Sequence, residues 1–343
     1  MKAITGGAGF IGTNLAEFFL SKGEKVLILD DFSKKGSKEN KKYLEKKFHE
    51  NLKIIKCDIR SDKKIMEKTF SEAEAVFHLA GQVAVTNSVK NPRQDFEINA
   101  LGAFNVLEAV RKSKENPVLI YSSTNKVYGK MDDLKITEKN NKYFYEETPE
   151  GIKEERLLDF HSPYGCSKGT GDQYFRDYAR IYGLNSVVFR QSCVYGKRQF
   201  GTEDQGWIAW FVIASVFGKK ITIFGNGKQS RDVLYSDDVV NAFDLAAKKI
   251  KKTKGKIFNI GGGPENTLSL LELIELLEEL NRKKITYSFD KWRPGDQKVF
   301  VSNIEKAEKE FGWKPKVPAK KGVEILFNWV KENKKEIQTL KLF

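Results

Sequence analysis

A chain of 343 residues with 40% hydrophobic and 31% charged side chains can bury a large core and is typical of a globular protein. The net charge is +14, but the lysines are scattered among glutamates without interleaved aromatic residues for base stacking, so we expect no nucleic-acid partner. A positive field instead favours a small anionic substrate. The longest apolar run, 207–217, is too short to span a bilayer and predicts a buried helix, so we expect no membrane partner.

Cysteine and histidine usage predicts a reducing compartment and no metal site. Cys57, Cys166 and Cys193 are an odd number of cysteines at wide spacing, which argues against a disulfide framework. The three histidines do not combine with them into a metal-ligand pattern. Met1 belongs to the first predicted strand and runs almost directly into a glycine-rich turn, so we expect no secretory signal and a cytoplasmic location.

In chain order, short apolar runs that predict strands alternate with segments of helical apolar spacing. This alternation predicts a parallel sheet with helices on both faces. The predicted strands are 1–4, 25–29, 53–57, 75–79, 117–122, 185–190, 221–224 and 257–260, and the main predicted helices are 13–20, 65–70, 99–113, 165–182, 268–280 and 320–331.

The second half of the chain is less regular. The polar segment 131–156 predicts a long loop or lid, and 292–296 predicts a turn. We predict an α/β fold, a Rossmann-type doubly wound parallel sheet with a smaller C-terminal substrate-binding domain. The NAD-binding Rossmann domain would comprise residues 1–190 with a returning segment at about 233–262. The nucleotide-sugar-binding domain would comprise 191–232 and 263–343 and pack at the carboxyl edge of the sheet, where ligands bind in such folds.

A glycine-rich turn follows the first predicted strand. It has the spacing G-x-x-G-x-x-G and contains Gly6, Gly9, Phe10, Ile11 and Gly12. Such glycines permit a tight turn, let backbone N–H groups approach a pyrophosphate and let the next helix pack on the strand. Asp30 follows the second predicted strand, where a carboxylate accepts hydrogen bonds from the ribose hydroxyls of NAD and repels a 2′-phosphate. The sequence therefore predicts NAD as cofactor, with an ordinary glycine-rich turn as the alternative.

Tyr164 and Lys168 lie four residues apart near the start of a predicted helix and so share one face. A nearby ammonium would lower the pKa of the Tyr164 phenol, which could then take a proton from a sugar hydroxyl while a hydride leaves the same carbon. Lys168 could also hold the nicotinamide ribose. Ser122-Ser123-Thr124 ends the fifth predicted strand, and we assign to Thr124 the hydroxyl that holds the reacting oxygen, with Ser122 at the cofactor. An exposed Tyr/Lys pair and a common Ser/Thr turn are the alternatives.

Together these motifs resemble those of the extended short-chain dehydrogenase/reductase family, whose members are mostly nucleotide-sugar epimerases and dehydratases. The resemblance covers nearly the whole chain and implies a homodimer or homotetramer. It also implies cofactor-binding roles for Asp58, Ile59, Leu79, Ala80, Gly81 and Asn99, and nucleotide-sugar contacts from Arg231 and Arg293. The planar fork of arginine suits a diphosphate, although either arginine could instead form a surface salt bridge.

Two stretches of the sequence indicate which activity within the family to expect. Asn125-Lys126 stands where the sugar 4,6-dehydratases of the family carry Asp-Glu, so the acid and base needed to eliminate water are missing. The stretch 190–201, with 123–129 and 162–169, is similar to that of the CDP-paratose (CDP-tyvelose) 2-epimerases of lipopolysaccharide O-antigen synthesis. We therefore assign Asn125, Gln191 and Cys193 to the substrate pocket. Cys193 has no nearby histidine in sequence to activate it, so we expect a pocket wall and not a nucleophile.

The sequence thus favours NAD-dependent epimerisation of a nucleotide sugar, and a CDP-linked sugar is the leading hypothesis for the substrate. A UDP-hexose 4-epimerase using the same residues on another carbon is the alternative within enzymes. A non-catalytic NAD-binding regulator on the same fold is a second alternative, which the Tyr164–Lys168 pair disfavours.

Overall fold

A computed structural model describes residues 1–293 and 295–343, so the predicted turn at 292–296 contains one residue, Pro294, that lies outside the described part. Among the described residues no helix combines the length and the apolar character needed to cross a membrane. The strands are β1 Lys2–Thr5, β2 Val26–Asp30, β3 Leu52–Lys56, β4 Ala75–His78, β5 Val118–Thr124, β6 Ile136–Lys139, β7 Lys142–Tyr145, β8 Ser186–Gln191, β9 Cys193–Tyr195, β10 Ile221–Phe224, β11 Ser230–Tyr235, β12 Ile257–Ile260, β13 Thr267–Ser269, β14 Tyr287–Asp290 and β15 Val299–Phe300.

Helices connect these strands and cover them. They are α1 Phe10–Leu20, α2 Ser37–Lys47, α3 Lys63–Phe70, α4 Val85–Lys90, α5 Pro92–Phe96, α6 Gly102–Arg111, α7 Pro163–Ile181, α8 Trp207–Val216, α9 Ser236–Lys248, α10 Ile250–Thr253, α11 Leu270–Asn281, α12 Glu305–Phe311, α13 Ala319–Glu332 and α14 Lys334–Thr339. A π-helical turn, Glu97–Leu101, joins α5 to α6, and short 3₁₀ turns cover Asn125–Tyr128 and Pro264–Asn266.

A seven-stranded parallel sheet in the order β12-β8-β5-β4-β1-β2-β3 forms the centre of the molecule. The chain builds outwards from β1 through β2 and β3, and then returns to add β4 and β5 on the other side. The strand order therefore reverses between β1 and β4, the place where doubly wound sheets bind their ligands. All five residues of β2 are buried, as expected for a strand with both faces covered. The predicted Rossmann-type doubly wound sheet is confirmed.

Amphipathic helices bury their apolar faces on both sides of this sheet. On one side Leu15 and Phe19 of α1 pack in one cluster with Phe243 of α9. On the other side Val106 of α6 and Phe175 of α7 belong to a second cluster. Helices α2 and α9 were not predicted from the sequence. Segment 233–262, predicted to return to the nucleotide-binding domain, contains α9 and the edge strand β12.

The C-terminal part has its own apolar cluster, built around α8. Eight of the ten residues of α8 are buried, and α11 and α13 pack beside it, so the buried helix predicted at 207–217 is confirmed. Strand β11 pairs with β9, β13 and β15, and β10 pairs with β14. Predicted helix 268–280 starts later than expected because Thr267–Ser269 pairs with β11, and Ser269 then caps α11.

The segment 131–156 is not the open loop or lid that its polar sequence predicted. It contains the antiparallel hairpin β6–β7. Met131, Tyr145 and Ile152 are buried in one cluster with Val299 and Phe300. The apolar residues of the segment are too far apart to show a period, and their packing partners lie about 150 residues later, so sequence periodicity could not reveal this packing.

Candidate active site

A cavity of about 560 Å³ opens at the carboxyl ends of the central strands. Its walls come from the glycine-rich turn, the ends of β2, β4 and β5, helix α7 and the segment after β8. The predicted site residues that line it are Gly6, Gly9, Phe10, Ile11, Gly12, Asp30, Asp58, Ile59, Leu79, Ala80, Gly81, Ser122, Thr124, Tyr164, Lys168 and Gln191. Those that do not are Asn99, Asn125, Cys193, Arg231 and Arg293. Residues separated by up to 185 positions thus share one cavity.

The geometry of the glycine-rich turn fits a pyrophosphate. Gly6 has φ +67°, and a Cβ there would lie 2.6 Å from the backbone nitrogen of Ala80. A Cβ on Gly12 would lie 2.4 Å from the carbonyl oxygen of Gly6. Helix α1 begins just after Gly9 without a side-chain cap, and its first residues, Phe10, Ile11 and Gly12, line the cavity. Such a helix end attracts anionic groups through its unpaired donors and its dipole.

Asp30 ends β2 and is buried at the cavity wall. Its Oδ2 accepts a hydrogen bond from the backbone nitrogen of Ala8 at 3.0 Å, and its Oδ1 accepts one from that of Phe32 at 2.8 Å. Burial raises the pKa of this carboxyl, while the two backbone hydrogen bonds oppose the rise. Each oxygen keeps acceptor capacity, which fits ribose hydroxyls. Lys34 and Lys35 line the same wall, so the field there is not purely negative.

Other cofactor candidates lie along the same edge. Asp58 forms an ion pair with Arg60 at 2.7 Å, which holds the pKa of the Asp58 carboxyl below its usual value. The buried side chain of Asn99 lies behind the wall, in the π-helical turn. Its Nδ2 donates to the Gln82 carbonyl oxygen at 3.0 Å, and its Oδ1 accepts from the Gln82 nitrogen at 2.9 Å. Asn99 therefore fixes the backbone that follows Gly81.

Helix α7 presents Tyr164 and Lys168 to the cavity. The Ser162 hydroxyl caps its first turn by accepting from the Gly165 nitrogen at 3.0 Å, and Pro163 occupies the first helical position. Lys168 is 5% exposed, and its Nζ donates to the carbonyl oxygen of Ser122 and lies 4.3 Å from the centre of the Tyr121 ring.

Burial is the largest influence on the pKa of both Tyr164 and Lys168. It raises the pKa of the Tyr164 phenol to about 12, although the adjacent Thr124 hydroxyl acts in the opposite direction. It lowers the pKa of Lys168 to about 7. In the protein alone, therefore, Lys168 does not bring the phenol below its ordinary pKa, which corrects the sequence-based expectation. Desolvation raises the pKa of the phenol more than the hydrogen bond with Thr124 lowers it.

Asn125 and Lys126 follow Thr124 in the 3₁₀ turn. Asn125 Nδ2 donates to Gln297 Oε1 at 3.4 Å, and Lys126 Nζ donates to the Gly295 carbonyl oxygen at 3.2 Å. Burial, followed by the nearby Arg231, lowers the pKa of Lys126 to about 8. Neither side chain is a carboxylic acid, so the carboxyl acid and base expected of a sugar dehydratase are missing here.

The two arginines predicted to contact the nucleotide sugar lie outside this cavity. Arg231 is buried, and its guanidinium donates to the carbonyl oxygens of Ser230 and Gln297. Arg293 stacks on Phe224 at 3.6 Å and pairs with Asp204 at 3.2 Å. Since Asp204 itself lines the cavity, Arg293 is connected to its rim.

Cys193 also lies outside the cavity. Burial raises the pKa of its thiol, so the thiolate is disfavoured. This thiol is a poor nucleophile in the protein as it stands.

Several polar residues around the site were not predicted from the sequence. Gln82, Asn87, Ser192 and Gln199 line the cavity. Asp95 and Asp172 are buried behind it. Asp172 lies one helical turn beyond Lys168, a spacing that could have drawn attention to it, whereas Asp95 carries no motif of its own.

The profile of the GDP-mannose 4,6 dehydratase family matches residues 3–326. The chain belongs to this family. The match confirms membership of the extended short-chain dehydrogenase/reductase group of nucleotide-sugar epimerases and dehydratases.

Three similar proteins within this group are named as nucleotide-sugar epimerases. The chain is 47% identical over 332 residues, 95% of this chain and 98% of the other, to a CDP-paratose 2-epimerase of Salmonella typhi. A UDP-glucose 4-epimerase of Thermotoga maritima, solved with UDP-glucose, has a TM-score of 0.82 at 31% identity, covering 97% of this chain and 99% of that one. A UDP-glucuronic acid 4-epimerase of Bacillus cereus, solved with UDP-glucuronic acid and NAD, has a TM-score of 0.83 at 28% identity with the same coverage.

Proposed function

We propose that this protein is a CDP-paratose 2-epimerase that interconverts CDP-paratose and CDP-tyvelose with a permanently bound NAD. The observation that carries the proposal is that Thr124, Tyr164 and Lys168 line one cavity with the glycine-rich turn. Asn125 and Lys126, which follow Thr124, are not the carboxyl pair of a sugar dehydratase. The 47% identity to the Salmonella typhi enzyme supports the choice of substrate. Family membership supports the broader statement, an NAD-dependent nucleotide-sugar epimerase.

NAD would lie with its pyrophosphate at Gly9 and the start of α1 and its ribose hydroxyls at Asp30. When bound, it supplies a reversible hydride acceptor and a positive charge. Tyr164 then takes the proton of the C2 hydroxyl and returns it later, and Thr124 donates a hydrogen bond to the same oxygen. The pKa of Tyr164, about 12 in the protein alone, has to fall for this step. A second positive charge beside Lys168 would lower it.

The 2-keto sugar formed in this way must turn over between the two halves of the reaction. We propose that residues 191–232 and 263–343 hold the nucleotide diphosphate meanwhile, with Arg231 and Arg293 as its cationic contacts and Asn125, Gln191 and Cys193 as walls of the sugar pocket. We expect the enzyme to act in the cytoplasm, where nucleotide sugars are made.

The test uses purified enzyme and CDP-paratose carrying deuterium at C2, with no added cofactor. We expect CDP-tyvelose with the deuterium still at C2 and no net NADH at completion, because the label leaves and returns within one site. Loss of the label to solvent would contradict the mechanism and indicate enolisation instead.

A UDP-hexose 4-epimerase is the second candidate, favoured by the names of the two structural neighbours. Incubation with UDP-glucose under the same conditions separates the two. Formation of UDP-galactose, without turnover of CDP-paratose, would support the 4-epimerase. No product from either sugar would favour the non-catalytic regulator.

A further inference from the structure

Two buried carboxylates lie behind the catalytic face of α7. Asp95, on α5, is 1% exposed and accepts hydrogen bonds from Ser167 Oγ at 2.5 Å and Gln82 Nε2 at 2.7 Å. Ser167 directly precedes Lys168, and Gln82 directly follows Gly81 of the cavity wall. Asp95 therefore ties the catalytic helix to the loop after β4.

Asp172 lies one turn beyond Lys168 and is fully buried. It forms a bidentate ion pair with Arg190 of β8, with both N···O distances at 2.9 Å. It also accepts a hydrogen bond from Ser123 Oγ at 2.8 Å. Ser123 stands between Ser122 and Thr124, so Asp172 joins the catalytic helix to the end of β5.

Lys168 is a buried amine, with a pKa lowered to about 7, that makes no direct ion pair within the described part of the chain. Asp172 on α7, Asp95 on α5, Tyr121 on β5 and His78 on β4 lie near it, and Tyr164 precedes it by one turn of α7. Burial lowers the pKa of His78 to about 3 and raises that of Tyr121, so both are neutral at neutral pH. The two carboxylates are the only anions in this set.

We propose that Asp95 and Asp172 are positioning residues that keep Lys168 charged and its Nζ at the wall of the cofactor pocket. The proposal rests on the proposed function, since it gives a cause for the charge that the epimerase needs at Lys168.

Burial and electrostatic attraction act on the charge of Lys168 in opposite directions. Burial disfavours the ammonium, and the two carboxylates oppose this loss of charge. Since the pKa of Lys168 is already about 7, removing either carboxylate would leave the side chain largely neutral at pH 7. A neutral amine could not stabilise the Tyr164 phenolate. Because neither carboxylate touches Lys168, both act through charge and through the placement of neighbouring backbone.

The charge of Lys168 can be measured without any substrate. Competitive acetylation at a series of pH values, read by mass spectrometry on the peptide that contains Lys168, gives the pKa of this one lysine. The variants are Asp95→Asn and the double change Asp172→Asn with Arg190→Gln, which leaves no unpaired buried arginine to unfold the protein. Asp177→Asn on the exposed side of the same helix is the matched control.

We expect the pKa of Lys168 to fall by about one pH unit or more in Asp95→Asn, the usual effect of losing a nearby opposite charge. It should fall by less in the double variant, because Arg190→Gln removes a positive charge together with the carboxylate, and it should stay unchanged in the control. Asp172→Glu, which keeps the charge and Arg190, should restore much of the parent value. An unchanged pKa in both carboxylate variants would overturn the proposal, and a fall in only one would overturn it for the other residue.

Activity against pH then separates this role from a merely structural one. Loss of the ammonium should make kcat fall as pH rises through the pKa of Lys168, so the carboxylate variants should lose activity at lower pH than the parent. A structural defect would lower kcat equally at all pH values and leave that midpoint in place. If the parent does not epimerise CDP-paratose, the proposed function fails, while the acetylation still reports on Lys168.

Discussion

The Oδ2 atom of Asp30 accepts a hydrogen bond from the backbone nitrogen of Ala8 at 3.0 Å, so the acidic end of β2 and the glycine-rich turn after β1 are one unit. The contact holds the carboxylate beside the start of α1. The proposed pyrophosphate donors and the proposed ribose acceptor are thereby fixed relative to each other, which would reduce the ordering cost of cofactor binding.

This arrangement predicts a preference for NAD over NADP. In calorimetry on nucleotide-free enzyme we expect NAD to bind at least about tenfold more tightly, because a 2′-phosphate would face the Asp30 carboxylate. Asp30→Asn should strongly reduce the preference for NAD over NADP, because Lys34 and Lys35 on the same wall would then attract the 2′-phosphate. Asp31→Asn, a neighbouring carboxylate on the same wall, is the control and should change it little. Equal affinity of the parent for both cofactors would refute the role of Asp30.

Tyr164→Phe tests proton transfer. The change removes the phenol oxygen but keeps the ring's packing, so kcat should fall by roughly a hundredfold or more while NAD binding stays nearly constant. Tyr178→Phe is the control on the same helix, because the Tyr178 hydroxyl does not line the cavity. It donates a hydrogen bond of 2.8 Å to Glu108. Turnover of Tyr164→Phe within about threefold of the parent would exclude Tyr164 from proton transfer.

The sequence revealed those parts of the site that rest on local geometry. The glycine spacing, the acidic end of β2 and the four-residue step from Tyr164 to Lys168 each follow from one turn, one strand or one helix. Each of these residues lines the same cavity. Their roles in catalysis and binding stay predictions.

Features that depend on distant packing were not visible. Strand β11 is buried along its whole length although it begins Ser-Arg-Asp, because Asp232 accepts from the Gly263 nitrogen and Arg231 donates to nearby carbonyl oxygens. The protonation of Tyr164 was misjudged for the same reason. The spacing places Lys168 one helical turn after Tyr164, but only the folded structure shows the burial that raises the pKa of Tyr164.

Buried His78 predicts an acid-sensitive fold. Burial, followed by the charge of Lys168, lowers the pKa of His78 from 6.5 to about 3. Below pH 6.5 the unfolded chain therefore binds a proton that the folded protein excludes, so stability is lost as pH falls towards 3. Between pH 6.5 and 5 the free energy of unfolding should drop by up to about 2 kcal/mol from this residue. Urea unfolding of the parent and of His78→Gln at both pH values measures this drop.

The pH dependence should be clearly smaller in His78→Gln, whatever the absolute stability of that variant. His49→Gln, which changes an exposed histidine, is the control and should keep the parent's dependence. An identical loss of stability with pH in His78→Gln and the parent would mean that other groups cause it.

Two single substitutions in the glycine-rich turn should affect different properties, one the stability of the protein and the other cofactor binding. A Cβ on Gly12 would lie 2.4 Å from the Gly6 carbonyl oxygen and 2.6 Å from the Gly7 Cα, where rigid backbone cannot move away. A Cβ on Gly9 would meet only the Gly6 oxygen, at 3.1 Å, and Gly9 has φ −72°, which alanine adopts freely.

Gly12→Ala should therefore destabilise the protein by about 1–3 kcal/mol, the usual cost of overpacking, as measured by urea unfolding without nucleotide. Gly9→Ala should change this stability little. Since Gly9 lines the cavity, its new methyl group would occupy space that the pyrophosphate needs, and NAD affinity in calorimetry should fall about tenfold or more. Normal NAD binding by a stable Gly9→Ala protein would show that the pyrophosphate does not approach this turn.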